Sequence, residues 1–210
     1  NWGRLAPQIV YYISAYCDLL EREPERVADG FNIVVPTGNF GNILAAYYAK
    51  KMGVPVNKLI CASNANNVLT DFIRTGTYDR NRKFYTTISP SMDILISSNL
   101  ERLVYKIAGN DAAKDVELMK ALSAEGAYEI SEEMKAELAD FYGNYASEAE
   151  TAEEIASVYG DTGYVLDTHT AVAWNVYEKW AEETGNKDKT VVLSTASPYK
   201  FSNSVMKALG

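Results

Sequence analysis

The chain has 210 residues, 47% of them hydrophobic, and a formal net charge of −8 at pH 7, which provides core material for one large domain and repels a nucleic-acid backbone. No apolar run approaches the roughly 20 residues that span a bilayer, and the start NWGRLAPQ lacks the basic-then-apolar layout of a signal peptide, so a cytoplasmic protein is expected. One histidine, His169, excludes a His-based triad or a multi-His metal site; Cys17 and Cys61, without CxxC spacing, read as buried thiols.

Ile9, Val10, Ile13, Cys17 and Leu20 recur at three- and four-residue spacings, which predicts an amphipathic helix over 7–23, opened by Pro7 and closed before Pro24. A strand over 31–36, a helix over 42–52, a strand over 58–62 and a helix over 66–75 then alternate as βαβα. Gly53 and Pro55 stop the first of these helices and Gly76 the second. Residues 88–96 read as a connection, and 97–108 as a helix with Ser98 or Asn99 as N-cap and Leu100, Leu103, Val104 and Ile107 on one face. Residues 111–161 carry fourteen of the 28 acidic residues against three lysines and no β-branched run, and read as a solvated helical excursion. Trp174, Val176, Tyr177 and Trp180 lie on a helix after DTHTAV, and 190–193 form a last short strand feeding STASP. The expected class is α/β: three layers, with helices around a mostly parallel sheet in a single large domain over 1–210.

The segment FNIVVPTGNFGNILAAYYAKK carries the most chemistry. A strand rich in β-branched residues runs through a glycine-asparagine turn straight into a helix, leaving the N–H groups of residues 38–42 without intrahelical partners at the positive end of the macrodipole. This is an anion cradle or an ordinary βα turn. Gly38 and Gly41 would let the backbone approach an oxyanion, while Asn39 and Asn42 tolerate unusual φ and offer side-chain donors. Ligands of parallel sheets bind beyond the carboxyl ends of the strands, so the 36–42 and 62–67 turns are expected to face one site. Asn64, Asn66 and Asn67 either donate to a ligand or cap the next helix, with Asn66 the expected cap.

Five blocks, VVPTGNFGNILAAYYAKKMGVP, ICASNANNVLTDFIRTGTY, SPSMDILISSNLERLVY, DTHTAVAW and LSTASPYKF, together resemble threonine synthase, a pyridoxal-phosphate enzyme of the tryptophan synthase β-subunit-like fold (fold type II). The resemblance covers residues 1–105 and 163–201, and implies pyridoxal 5'-phosphate as cofactor and conversion of O-phospho-L-homoserine and water into L-threonine and phosphate. It assigns Gly38, Asn39, Phe40, Gly41 and Asn42 to the cofactor phosphate, and Thr195, with Ser194 as understudy, to the pyridine nitrogen. Thr195 is otherwise a strand-end turn residue. Asn1 and Arg4 match the second asparagine and the arginine of the family's NSxNxxR motif; Arg4 is a ligand for a substrate anion or a surface arginine at a frayed terminus.

The family's Schiff-base lysine lies upstream between Phe and Asp, and Lys83, Lys106 and Lys200 have no such setting. The expectation is therefore a fragment without a catalytic lysine, inert by itself and partnered by the missing N-terminal part of the same enzyme. Thr168 and Ala173 replace Pro and Gly of the family's DPHTAVG block around His169, which reads as structural. Ser197 and Tyr199 replace His and Ala of STAHPAKF. The rival readings are another fold-type-II pyridoxal-phosphate lyase, such as a serine or threonine dehydratase, and a non-catalytic phospholigand-binding α/β module.

Overall fold

The computed structural model describes residues 2–210. In chain order it forms α1 (Trp2–Leu5), α2 (Ile9–Arg22), α3 (Pro24–Val27), β1 (Phe31–Pro36), α4 (Gly41–Lys51), β2 (Val56–Ser63), α5 (Val68–Thr75) and β3 (Thr77–Asp79). There follow α6 (Leu100–Ile107), α7 (Ala112–Ala124), β4 (Ala127–Glu129), α8 (Glu132–Ala136), β5 (Phe141–Tyr145), α9 (Glu148–Thr162), α10 (Thr168–Thr184), β6 (Thr190–Val192) and α11 (Ser202–Leu209). The main sheet has the order β5-β2-β1-β6 with every pairing parallel, while β3 and β4 make a small antiparallel pair.

Strand alternation sends Ile33, Val35, Leu59 and Cys61 to one face, where they pack with α4, and Val34, Ile60 and Ala62 to the other, against Val172, Ala173, Val176 and Trp180 of α10. Helices thus cover both faces, which is why Ile33, Val34 and Val35 of β1 are consecutive apolar residues instead of an alternating pattern. Because all four strands run the same way, their carboxyl ends open on a single edge. Burial pushes the Cys61 thiol up to about 12 and leaves it an inert packing group.

Three expectations are corrected here. The inward face of α2 is set by Tyr12, Tyr16 and Leu19 together with Ile9 and Ile13, whereas Val10, Cys17 and Leu20 are exposed. The helix is rotated because its tyrosines bury: Tyr16 stacks on Phe31 at 5.9 Å, and the Tyr12 hydroxyl finds a partner on α4. The acidic stretch is not a purely helical excursion, since it contains β4 and contributes β5 to the main sheet. Phe141–Tyr145 has no β-branched residue, and tertiary packing overrides its weak local preference: Phe141 meets Phe40 and Tyr47, and Gly143 lies flat against α5. Asn66 does not cap α5; Asn67 holds that position without a side-chain cap bond, its oxygen turned to Arg82.

A Cβ added at Gly143 would lie 3.1 Å from Thr70 Cα and 3.2 Å from Ile73 Cβ. Gly143→Val is therefore expected to destabilise the fold by about 1–3 kcal/mol through overpacking. Urea unfolding measures this, and an unchanged midpoint would mean that β5 is free to move off α5.

Candidate anion-binding site

At the end of β1 the Thr37 N–H donates to Ala62 O at 2.8 Å and its hydroxyl to Val35 O at 2.7 Å, which ties the chain to the sheet before it turns. Phe40 then adopts the left-handed conformation, φ 59°, and α4 begins at Gly41. A non-glycine residue there is held by packing, and the Phe40 ring is buried beside Phe141 at 5.8 Å. The N–H groups of residues 38–42 donate to no acceptor among the described residues. They line a cavity of about 270 Å³ whose wall also includes Arg4, Gln8, Ser98 and Asn99.

The neighbours decide which way the amides point. Asn39 Oδ1 accepts from the Ser98 N–H at 2.6 Å and from its hydroxyl at 2.9 Å. Asn42 Oδ1 accepts from the Tyr12 hydroxyl at 2.5 Å, and burial raises the Tyr12 pKa, keeping it a protonated donor. With both oxygens engaged, the NH₂ groups of Asn39 and Asn42 are left without partners among the described residues. No carboxylate lines the cavity, and Arg4 adds a guanidinium. A wall of backbone N–H groups, two amide NH₂ groups and one cation is matched to an anion with several acceptor oxygens, such as a phosphate.

The glycines serve packing. A Cβ on Gly38 would lie 2.9 Å from Met92 Cα and 3.0 Å from Ser91 O, and one on Gly41 would lie 3.2 Å from Asn99 Nδ2. Neither has a positive φ; the strained backbone belongs to Phe40. The 91–92 segment behind Gly38 is fixed in turn by His169, whose Nε2 accepts the Ser91 N–H at 3.2 Å while Nδ1 faces Asp167 Oδ1 at 3.3 Å. His169 is buried, and through these contacts it braces the 91–92 segment.

Asn64 and Asn66 are committed inside the protein. The Asn64 amide donates to Thr87, Ser89 and Asp93, and Asn66 donates to Tyr85 O and Asp93. The 87–93 segment therefore fills the space between the two turns that were expected to share a site. Ala65 and Asn67 line a separate cavity with Arg82, Lys83, Tyr85 and Tyr145.

Of the sequence-predicted site residues, Arg4 and all five of Gly38, Asn39, Phe40, Gly41 and Asn42 line one cavity. Ser194 and Thr195 follow β6 at the same sheet edge, where Val192 pairs with Val34 and the Leu193 N–H donates to Val34 O. Both are exposed and neither lines the cradle; Ser194 borders a different cavity with Thr170. Asn1 lies outside the described residues. Sequence reasoning missed Tyr12, Gln8, Ser98 and Asn99 as site residues. The last two stood out only as helix-cap types, and a tyrosine in a helix carries no mark of what its hydroxyl will reach.

A parallel sheet with a candidate anion cradle at its carboxyl edge, between a strand end and a helix N-terminus, is an α/β architecture that this chain shares with solved pyridoxal-phosphate enzymes. Within it the chain is similar along its whole length to a part of threonine synthases. It superposes on the pyridoxal-phosphate-bound threonine synthase of Brucella melitensis with a TM-score of 0.90 at 42% identity, over 100% of this chain and 44% of that one. For the yeast threonine synthase the TM-score is 0.91 at 35% identity, over 100% and 43%. Human threonine synthase-like 1 is 46% identical over 100% of this chain and 28% of that protein. The family described as "Threonine synthase, C-terminal" matches residues 170–210. The chain thus spans less than half the length of these relatives.

Two outcomes are expected from the site's supports. Tyr12→Phe removes the donor to Asn42 and should weaken inorganic phosphate binding by about 3- to 10-fold, equivalent to roughly 1 kcal/mol, with calorimetric titration as the check. Asp167 caps α10 by accepting from the His169 and Thr170 N–H groups. Its burial would raise its pKa, but the hydrogen bonds from His169 and Thr170 outweigh that and lower it. Its contribution is therefore present above the ordinary carboxylate value of about 3.9 and lost as pH falls through the lower folded value. The stability gap between wild type and Asp167→Asn, about 1 kcal/mol at neutral pH from the lost negative charge at the helix N-terminus, should close on acidification; a gap that widens in acid would reverse the assignment.

Proposed function

We propose that this chain is the phosphate-gripping part of the large domain of a threonine synthase, which in its full-length form uses pyridoxal 5'-phosphate to turn O-phospho-L-homoserine and water into L-threonine and phosphate. The donor-only cradle at residues 38–42, preformed within the chain, carries this reading. Sequence similarity extending from end to end favours threonine synthase over other lyases of the fold.

When bound, the cofactor supplies an electron sink for carbanion chemistry on the amino-acid substrate. The chain's own residues bind and orient. Backbone N–H groups 38–42 and the Asn39 and Asn42 amides hold the cofactor phosphate, so its charge is neutralised by dipoles that need no reorganisation. Arg4, which lines the same cavity, grips the substrate phosphate with its planar fork and stabilises it as it leaves. Asn1, outside the described residues, is proposed as a second substrate ligand on its motif alone. The Thr195 hydroxyl, with Ser194 next to it, serves the ring nitrogen as a neutral partner, which leaves that nitrogen largely unprotonated. No lysine lines the cavity among the described residues, so the 210-residue chain alone is expected to be inert, its catalytic lysine being supplied by the rest of the enzyme. A soluble biosynthetic role in the cytoplasm accords with this reading, and no helix among the described residues is long and apolar enough to cross a membrane.

The full-length protein, given pyridoxal phosphate and O-phospho-L-homoserine, should release threonine and phosphate in equal amounts. Thr195→Val in that protein should cost on the order of 1–3 kcal/mol of transition-state stabilisation, read from kcat/KM. Wild-type turnover in the variant would make the hydroxyl structural, and no threonine from the unmodified protein would sink the proposal. Borohydride reduction of the 210-residue chain with pyridoxal phosphate should label no single lysine stoichiometrically; one uniquely labelled lysine would show that the reactive group was misplaced.

A further inference from the structure

The turn of the cradle is shaped from outside by a side chain that would ordinarily serve its own helix. Asn99 occupies the N-cap position of α6 yet makes no side-chain cap bond there. Its Nδ2 instead donates to Asn39 O at 2.9 Å, and its Oδ1 accepts from the Arg102 guanidinium at 2.5 Å. The orientation of this amide is unambiguous, because a guanidinium can only donate and a carbonyl can only accept. Gly41 makes room for it, since a Cβ at that position would press on Asn99 Nδ2 at 3.2 Å.

The consequence follows from peptide geometry. No peptide bond among the described residues is cis, so the carbonyl of Asn39 and the N–H of Phe40 point in opposite directions across one rigid plane. Holding the carbonyl on Asn99 turns the Phe40 N–H away from it, where it meets no acceptor among the described residues. The same contact acts together with the packing of the buried Phe40 ring beside Phe141 to hold Phe40 in a left-handed conformation that a phenylalanine would not adopt unaided. Ser98 completes the clamp by taking the Asn39 side-chain oxygen.

We infer that Asn99 and Arg102 are positioning residues for the phosphate cradle: Arg102 orients Asn99, and Asn99 orients the 39–40 peptide so that its N–H can serve an anion. This rests on the cradle being an anion site. Neither side chain need touch the phosphate for the effect. Asn99 forgoes a capping bond to its own helix, a contribution that a purely local role would retain.

The test uses full-length apoprotein with inorganic phosphate as the probe, read by calorimetry and by the Phe40 amide signal after selective ¹⁵N-phenylalanine labelling. In the wild type, phosphate should bind saturably and move the Phe40 amide proton downfield. Asn99→Ala should weaken binding at least tenfold and abolish that movement, with the thermal midpoint of the ligand-free protein nearly unchanged. Arg102→Met should weaken it three- to fivefold, and Arg102→Lys, which keeps a donor for Asn99 Oδ1, should recover most of the loss. If Asn99→Ala fails to fold, the Met and Lys pair at 102 decides alone. Wild-type affinity and an intact Phe40 shift in Asn99→Ala or Arg102→Met would overturn the inference while leaving the cradle in place. Absence of any phosphate-induced shift in the wild type would overturn the cradle, and this inference with it.

Discussion

Five consecutive backbone N–H groups, at residues 38–42, emerge from the end of a fully buried strand and find no acceptor among the described residues. Backbone donors near a core are almost always satisfied, because leaving one unpaired costs roughly as much as a lost hydrogen bond. A run of five on residues that line one cavity, at the positive end of α4, is therefore a demand met by water or by an external anion. The surrounding architecture can be understood as what holds that demand open. The parallel sheet places β1, β2 and β6 with their carboxyl ends on one edge. Thr37 ties the last residue of the exit to β2, and α4 packs its alanine-rich face against the sheet so that its N-terminus cannot swing away.

Three separate parts of the chain close on that turn. From α2, Tyr12 reaches across 30 residues to engage Asn42. From the segment before α6, Ser98 and Asn99 engage Asn39. Behind Gly38, the 91–92 backbone fits where no Cβ could, and His169 on α10 holds that backbone from the other side of the protein. The Tyr12, Ser98 and Asn99 contacts each place a donor on an oxygen of Asn42 or Asn39, which leaves the NH₂ groups of those two asparagines free to face the cavity. This division of labour also accounts for the asparagines after β2. Asn64 and Asn66 spend their amides on Asp93, Thr87 and Tyr85, anchoring the segment that backs Gly38 and leaving nothing for a ligand.

Much of this is legible in the amino-acid order. The βαβα alternation, the strand at 31–36 and the amphipathic face of Leu100, Leu103, Val104 and Ile107 are local signals, and each became the element that its periodicity implied. Other features are not legible because their causes are nonlocal. Gly143 and its aromatic neighbours form a strand only because β2 offers a ladder and α5 a flat surface. The apolar residues of α2 give two competing stripes, and burial of Tyr12 and Tyr16 decides between them.

The amino-acid sequence by itself determined the class of fold, the place of the glycine-asparagine turn and the kind of ligand that such a turn can hold, because backbone donors at a strand-to-helix junction follow from chain order alone. Only the tertiary structure decided which amide edge faces the cavity, that a side chain at 38 would strike the 91–92 backbone and one at 41 would press on Asn99, and that the asparagines at 64 and 66 are internal braces. The physical reason is that an amide or a hydroxyl has no preferred role until a partner is brought within hydrogen-bonding distance. Here those partners lie 19 to 78 residues away in the chain.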